Sequence, residues 1–381
     1  MPTCAMSCRN RARAFATLLT AALLLALTGC RASSPAAHNP PPSKMNATAG
    51  IVVLTGAGST FVYPLMSRWI ADYRPLQTKL DINYQSIGSG GGIQQVRVGT
   101  INFGASDVAL TGPPLAAMPP VVQIAESAGP VCITYNLAGL HQPLRLTGPA
   151  LARIFLGWIT NWSDPAIVRA NPGVRLPAEP IVVVHRAEGS GTTNIFTEYL
   201  SAVSAAWARQ VGHGLAVRWP AGLGGEGSEG VTGLVEQTPG AIGYTELNYA
   251  IANQLPVAAI RNPLGQWVLP STASASADLR AGAAKLAKDI RLPVVNARGK
   301  NAYPITGLTF LILPKIARVP AQRRALLQFL DWALTGGQTV AARLQYAPLP
   351  RAIVAVDMHL LAPLRPHARR LRQPRQHRAG R

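Results

Sequence analysis

Hydrophobic and polar positions along the chain follow two periods in turn, and each change of period marks a new element. Ile51-Val52-Val53-Leu54 is an unbroken apolar run of strand length. From Val62 the spacing changes: Val62, Leu65, Met66, Trp69, Ile70 and Tyr73 recur at helical intervals and share one face. Asp81–Ile87 alternates with period two, placing Ile82, Tyr84 and Ser86 on one side, and a short helix is predicted through Ile93 and Val96. Ile101–Asp107 reads as another strand and ends in a carboxylate. Further along, Pro180–Val184 has the composition of a buried strand and delivers His185 and Arg186. Behind it, Ile195, Phe196, Tyr199, Leu200, Val203 and Trp207 form the stripe of one more helix. These stripes are core positions. Strands alternating with helices predict an α/β fold whose ligands lie beyond the carboxyl ends of the strands.

Between the periodic segments lie three glycine-rich stretches, each ahead of a predicted helix: Thr55–Phe61, Gly88–Gly92 and Glu188–Thr193. A helix start carries unpaired N–H groups and partial positive charge, so it attracts anions. Glycine lets the backbone approach a ligand, and Ser or Thr adds a hydroxyl. One such stretch is more often a turn. Three of them, with an arginine at a strand end, point to a single anion held from several sides.

The amino terminus places the chain outside the cytoplasm. Arg9, Arg11 and Arg13 precede an apolar run from Ala14 to Leu27, too short to span a bilayer comfortably. It ends in Leu27-Thr28-Gly29-Cys30, which resembles a bacterial lipobox with Cys30 as the lipidated residue; an ordinary secretory signal is the alternative. Residues 1–29 are read as the signal and 30–47 as a Pro-, Ser- and Ala-rich tether. Once Cys4 and Cys8 have left with the signal, Cys132 stands alone in an apolar run, as a buried structural thiol. The formal net charge is +20. The signal supplies three arginines, and residues 351–381 supply eight against one acid, Asp357, so the middle of the chain remains basic. That segment 351–381 reads as a disordered basic tail. Nucleic-acid modules are not indicated, because aromatic–basic stacking patterns and finger spacings do not occur. Paired-cysteine metal spacings are likewise missing from the sequence, and no cofactor motif appears.

Taken in order, a longer set of motifs carries a resemblance. It comprises Leu54–Phe61, Tyr84–Gly92, Phe103–Asp107, Arg186–Thr192, Trp219-Pro220, Gly222–Gly225, Pro239–Tyr244 and Tyr303–Thr306. Over roughly residues 50 to 350 the chain resembles the PstS family, the substrate-binding lipoproteins of bacterial phosphate ABC transporters. The resemblance implies a two-lobed, type II-like periplasmic-binding-protein fold that closes by a hinge. The first lobe is then discontinuous, at about 48–126 and 305–350, and the second runs over about 127–304. It also implies a monomer that binds inorganic phosphate, hands it to permease subunits and is tied to a membrane through the lipid on Cys30. Its phosphate contacts fall on Thr60, Phe61, Ser89, Asp107, Arg186, Ser190, Gly191 and Thr192. Glu188, beside the arginine, stands where the family usually has Asp, and its extra methylene puts the pairing geometry in question.

The same residues have a physical reading of their own. Phosphate offers four acceptor oxygens, and Arg186 supplies a fork for two of them. Asp107 repels an anion unless the ligand brings a proton, which phosphate does and sulfate near neutral pH does not. Taken singly, Asp107 reads as a helix N-cap and Arg186 as an ordinary ion-pair partner. An enzyme is the competing class, yet Gly189-Ser190-Gly191 lacks the spacing of a nucleophile elbow. His185 is adjacent to Arg186 on a strand, so their side chains are expected on opposite faces. An exported binder of acidic polysaccharide is the third reading.

Overall fold

The computed structural model describes residues 50–140 and 142–365. Eleven strands are present among them: β1 (Val52–Gly58), β2 (Leu80–Ser86), β3 (Phe103–Ser106), β4 (Val121–Tyr135), β5 (Arg145–Leu146), β6 (Val182–Arg186), β7 (Leu223–Gly225), β8 (Ala241–Glu246), β9 (Ala259–Arg261), β10 (Trp267–Val268) and β11 (Thr306–Pro314). Eight form a mixed sheet in the order β2-β1-β3-β11-β4-β8-β6-β7, and β10-β9-β5 form a small one. The fold is α/β, with helices packed on the large sheet.

Two long strands carry the architecture. β1 lies parallel to β2 and β3, and β11 runs antiparallel between β3 and β4. β4 pairs with β11 as far as Pro130, then exchanges that partner for β8 from Val131 onward. β6 lies parallel to both β8 and β7. The sheet therefore has two halves that share β4, and the exchange falls beside Ile305, just before β11 begins. The β4–β11 register shifts between Thr309 and Phe310, so Glu126 is the extra residue of a β-bulge.

Most of the predicted elements are found where the periodicity put them, with informative differences. The first helix covers Tyr63–Tyr73 and buries Leu65, Met66, Trp69 and Tyr73. β1 continues past Leu54 to Gly58, so half of the first glycine stretch is strand. The second stretch is helix from its first residue, Gly88–Val98. A Cβ on Gly92 would stand 2.6 Å from Ala57 O, so glycine here seats the helix directly on the sheet. The predicted helix behind β6 is two: Gly191–Val203, then Ala205–Gln210, because Ser204 leaves helical geometry and caps the second through Trp207 N. Cys132 is buried and unpaired, and burial holds its thiol pKa well above the ordinary value.

The segment read as a disordered tail is corrected at its start: Arg351–Leu361 is a helix. Ile353, Asp357 and Leu361, at intervals of four, are buried against the sheet. Charge composition concealed this stripe of three. Asp357 Oδ1 accepts a hydrogen bond from Ala125 N at 3.0 Å, at the bulge. Residues 366–381 lie outside the described residues, as do the signal, Cys30 and the tether. Among the described residues no helix is long and apolar enough to cross a membrane.

Burial pushes the Asp357 pKa up to about 8, opposed by the hydrogen bond from Ala125. An acid with a raised folded pKa contributes its full share below the unfolded value and loses it as pH rises towards the folded one. Asp357→Asn keeps the acceptor and carries no charge. Its stability relative to wild type should therefore improve by about 1–3 kcal/mol between pH 5 and pH 9. Thermal unfolding at both pH values checks this, and a difference independent of pH would mean that Asp357 is ionised throughout.

Candidate functional site

The three glycine-rich stretches meet at the carboxyl ends of β1, β3 and β6. Ser59, Thr60 and Phe61 follow β1, Ser89 lies in the first turn of helix Gly88–Val98, and Asp107 follows β3. Arg186 ends β6, and Ser190 is the N-cap of helix Gly191–Val203. All of these side chains are buried.

One cluster forms around Asp107. Ser59 Oγ donates to Asp107 Oδ1, and Ser89 Oγ donates to Oδ2 at 3.3 Å. Ser89 Oγ also accepts from Asp107 N at 3.2 Å and from Gly191 N at 3.1 Å. That last bond joins the two halves of the sheet, as does Gly90 N to Gly189 O at 2.8 Å. Glycine is required at 191, where a Cβ would lie 2.5 Å from Asp107 Cβ and 2.6 Å from Ser89 Oγ.

The second cluster forms around Arg186. Its Nη1 donates to Thr192 Oγ1 at 3.4 Å and to Ser228 Oγ at 3.3 Å. Glu188 Oε1 accepts from both Nε and Nη2, and the same carboxylate takes Gly227 N at 3.3 Å. The longer side chain at 188 thus does not break the pair: one oxygen serves two guanidinium nitrogens. Thr60 Oγ1 meets Ser228 Oγ at 2.9 Å, a further link between the halves. Thr60 O accepts from Tyr249 OH at 2.9 Å, and Phe61 O accepts from Tyr346 OH. Ser190 Oγ caps its helix through Thr193 N at 3.2 Å. The eight predicted residues are therefore brought together.

Sequence reasoning missed four participants. Ser59 lies inside the first stretch, directly before Thr60, and carries the same hydroxyl signal. Ser228 belongs to Gly225-Glu226-Gly227-Ser228, ahead of helix Gly227–Gln237, and so repeats the pattern that singled out the other three. Glu246 ends β8 as Asp107 follows β3, and its Oε1 accepts from Thr192 Oγ1 at 2.6 Å. Tyr249 gave no signal, because it reaches Thr60 only through tertiary packing.

The electrostatics are those of two buried carboxylates, Asp107 and Glu246, a part-exposed one, Glu188, and one buried guanidinium. Burial pushes the Asp107 pKa up to about 7; Ser59 opposes the rise, Glu246 adds to it, and Arg186 and Ser89 oppose it. Burial also works against the Arg186 charge, but the hydrogen bond and charge of Glu188, with Glu246 behind, hold its pKa above the ordinary value. Such a site can bind an anion that both accepts several hydrogen bonds and donates one. His185 is turned away from Ser190: its ring stacks on Trp219 at 4.7 Å and Nδ1 contacts Arg186 O at 3.0 Å. Among the described residues no group of three or more His, Cys, Asp or Glu is placed to hold a metal.

The chain is similar to known proteins over most of its length. The family model described as a PBP superfamily domain matches residues 32–336. The phosphate-binding protein PstS of Xylella fastidiosa (strain Temecula1) is 44% identical over 347 residues, covering 89% of this chain and 94% of that protein. The phosphate-binding protein PstS of Pasteurella multocida is 42% identical over 302 residues, covering 79% and 87%. A solved high-affinity periplasmic phosphate-binding protein, PfluDING with bound phosphate, superposes with a TM-score of 0.63 at 21% identity, covering 83% of this chain and all of that one. The chain belongs to the PstS family.

Because Gly191 touches both Asp107 and Ser89, Gly191→Ala should force the two halves apart at this point. Overpacking of this kind costs about 1–3 kcal/mol. Urea unfolding should show that loss, and the Gly90 amide should exchange hydrogen faster. Unchanged exchange at Gly90 would mean that the halves are joined without the Ser89–Gly191 contact.

Proposed function

We propose that this member of the PstS family binds inorganic phosphate between its two halves and delivers it to the permease subunits of an ABC importer. The single observation that carries the reading is the buried pair of opposites in one site: Arg186 at one side and Asp107 at the other, with hydroxyls and helix starts between them. Thr60, Ser89, Ser190 and Thr192 supply hydroxyls, Phe61 and Gly191 supply backbone N–H groups, and Arg186 supplies charge. Glu188 orients the guanidinium. Ser59 and Ser228 join the set as neighbours of Asp107 and Arg186.

Selectivity follows from Asp107. A carboxylate that is already short of solvation gains a hydrogen bond from a protonated phosphate oxygen and meets only repulsion from sulfate. Facing an anion that lacks the proton this buried carboxylate could accept can discriminate by roughly 10⁴–10⁵. Binding without turnover fits the placement of His185, which stacks on Trp219 and offers Ser190 no base.

The lobes are assigned to about 48–126 with 305–350, and to about 127–304. The partner exchange of β4 at Pro130/Val131 supports a hinge near the first boundary, a few residues beyond it. Closure would bring Ser89 to Gly191 and Thr60 to Ser228. Cys30 is assigned as the lipidated residue on the outer side of a bacterial membrane. Labelled palmitate in cells expressing the chain tests this, since Cys30→Ala should abolish incorporation; persistence of label would place the lipid elsewhere.

Calorimetry on protein stripped of carried-over ligand should give one phosphate per chain and no saturable heat with sulfate near neutral pH. Arg186→Ala should weaken phosphate binding by about 3–5 kcal/mol, since the anion loses its one full positive partner in the site. Asp107→Asn should keep phosphate binding and admit sulfate, whose oxygen then meets an N–H donor. If the asparagine variant rejects sulfate as wild type does, the selectivity resides elsewhere and Asp107 is only a cap.

A further inference from the structure

The end of the domain opposite the site gathers positive charge and bare apolar side chains. The amino-terminal ends of β1 and β3 and the carboxyl end of β11 lie there, at a depression of about 500 Å³. Arg97, Arg318 and Arg323 line it together with Val98, Ile316 and Val319, and no Asp or Glu does. The bordering segments 94–102, 117–122 and 314–324 add Lys315 and Arg324 and still contain no acid. Ile316 is 78% exposed, more than any other large apolar side chain among the described residues, and Val98 is 55% exposed.

Arg323 gives the depression its chemistry. It is only 8% exposed, and its Nη1 has no hydrogen-bond partner among the described residues, while Nη2 donates to Pro314 O. Burial pulls its pKa below the ordinary value, since no carboxylate compensates. The helix Pro320–Ala333 also starts here, with Val319 at its N-cap and no side-chain cap. Its dipole adds positive potential where cations already crowd. Such a place is relieved by an anion, and the exposed Ile, Val and Val beside it by an apolar layer.

The chain itself indicates what covers this end. Gln322 Nε2 donates to Val53 O at 2.8 Å, tying the start of β1 to the same helix. Gly50 and Ile51, where the chain enters the domain, are exposed next to it. We propose that this pole is a docking face for a bilayer containing anionic phospholipid. A headgroup phosphate sits among Arg97, Arg318 and Arg323, and Ile316, Val98 and Val319 enter the headgroup layer. The inference rests on the exported, lipid-anchored reading above, because that reading brings the pole next to a membrane. The anion site follows the opposite ends of β1 and β3, so a docked molecule holds its site at the end far from the bilayer, and delivery to a permease requires release from this docked state.

The test uses the full lipidated chain carrying Ile316→Cys, labelled with a polarity-sensitive dye; Cys132 is buried and does not compete. Vesicles are either phosphatidylcholine alone or phosphatidylcholine with one-third phosphatidylglycerol. The anchor makes the protein sediment with both kinds, while the dye shifts to the blue only on the anionic ones. High salt abolishes the shift, and so does the double variant Arg97→Ala/Arg318→Ala, with the affinity for phosphate in the cleft unchanged. Sedimentation and shift on anionic vesicles alone would sustain docking and remove the anchor. No shift on anionic vesicles, an equal shift on neutral ones, or a shift that survives in the double variant overturns the proposal. A shift produced by millimolar inorganic phosphate without vesicles also overturns it, making the depression a second solute site.

Discussion

Asp107 is a carboxylate removed from water at the end of a buried strand, and a group in that position must be given donors or give up its charge. Much of the site can be understood as an answer to that demand. Ser59 and Ser89 turn their hydroxyls to its two oxygens, and Ser89, having donated, accepts from Gly191 across the cleft. The fit between the two halves of the sheet is thereby tied to the solvation of one carboxylate. It also explains the glycine at 191, since a side chain there would displace the groups that Asp107 needs.

A similar tension occurs at the strands that both halves share. Glu126 is the extra residue of the bulge in β4, and neither of its oxygens has a hydrogen-bond partner among the described residues. Burial first, and the charge of Asp107 next, hold its pKa well above the ordinary value. One residue before it, Ala125 N is left without a ladder partner by the bulge and is taken by Asp357. The carboxyl-terminal helix is thus fastened to the strand about which the halves are joined. A segment that reads as loose tail in composition closes a backbone defect at the β4 bulge.

Charge is separated along the strand axes of the first half. At the carboxyl ends, one guanidinium faces carboxylates that offset its charge. At the depression by the amino-terminal ends of β1 and β3, several guanidinium groups gather and no acid lines it. The formal excess of positive charge therefore describes neither place well, because its sign says nothing about where carboxylates are interleaved.

The sequence alone determined the alternation of strands and helices, the glycine-rich starts and the family to which they belong, because these depend on local periodicity and on short motifs in fixed order. That Thr60, Phe61, Ser89, Asp107, Arg186, Ser190, Gly191 and Thr192 gather at one place was an expectation of the resemblance, and each lies within a few residues of a strand end or helix start. Ser228 carried the same local signal and was overlooked, while Tyr249 carried none. Tertiary structure decided the rest. Which hydroxyl serves Asp107, why Glu188 can replace a shorter acid, and how Asp357 comes to fill a bond left open by a bulge all depend on partners far apart in the chain. Burial decided the charge of Asp107 and Asp357 as well, since desolvation is a property of the packed neighbourhood and leaves no mark on the order of residues.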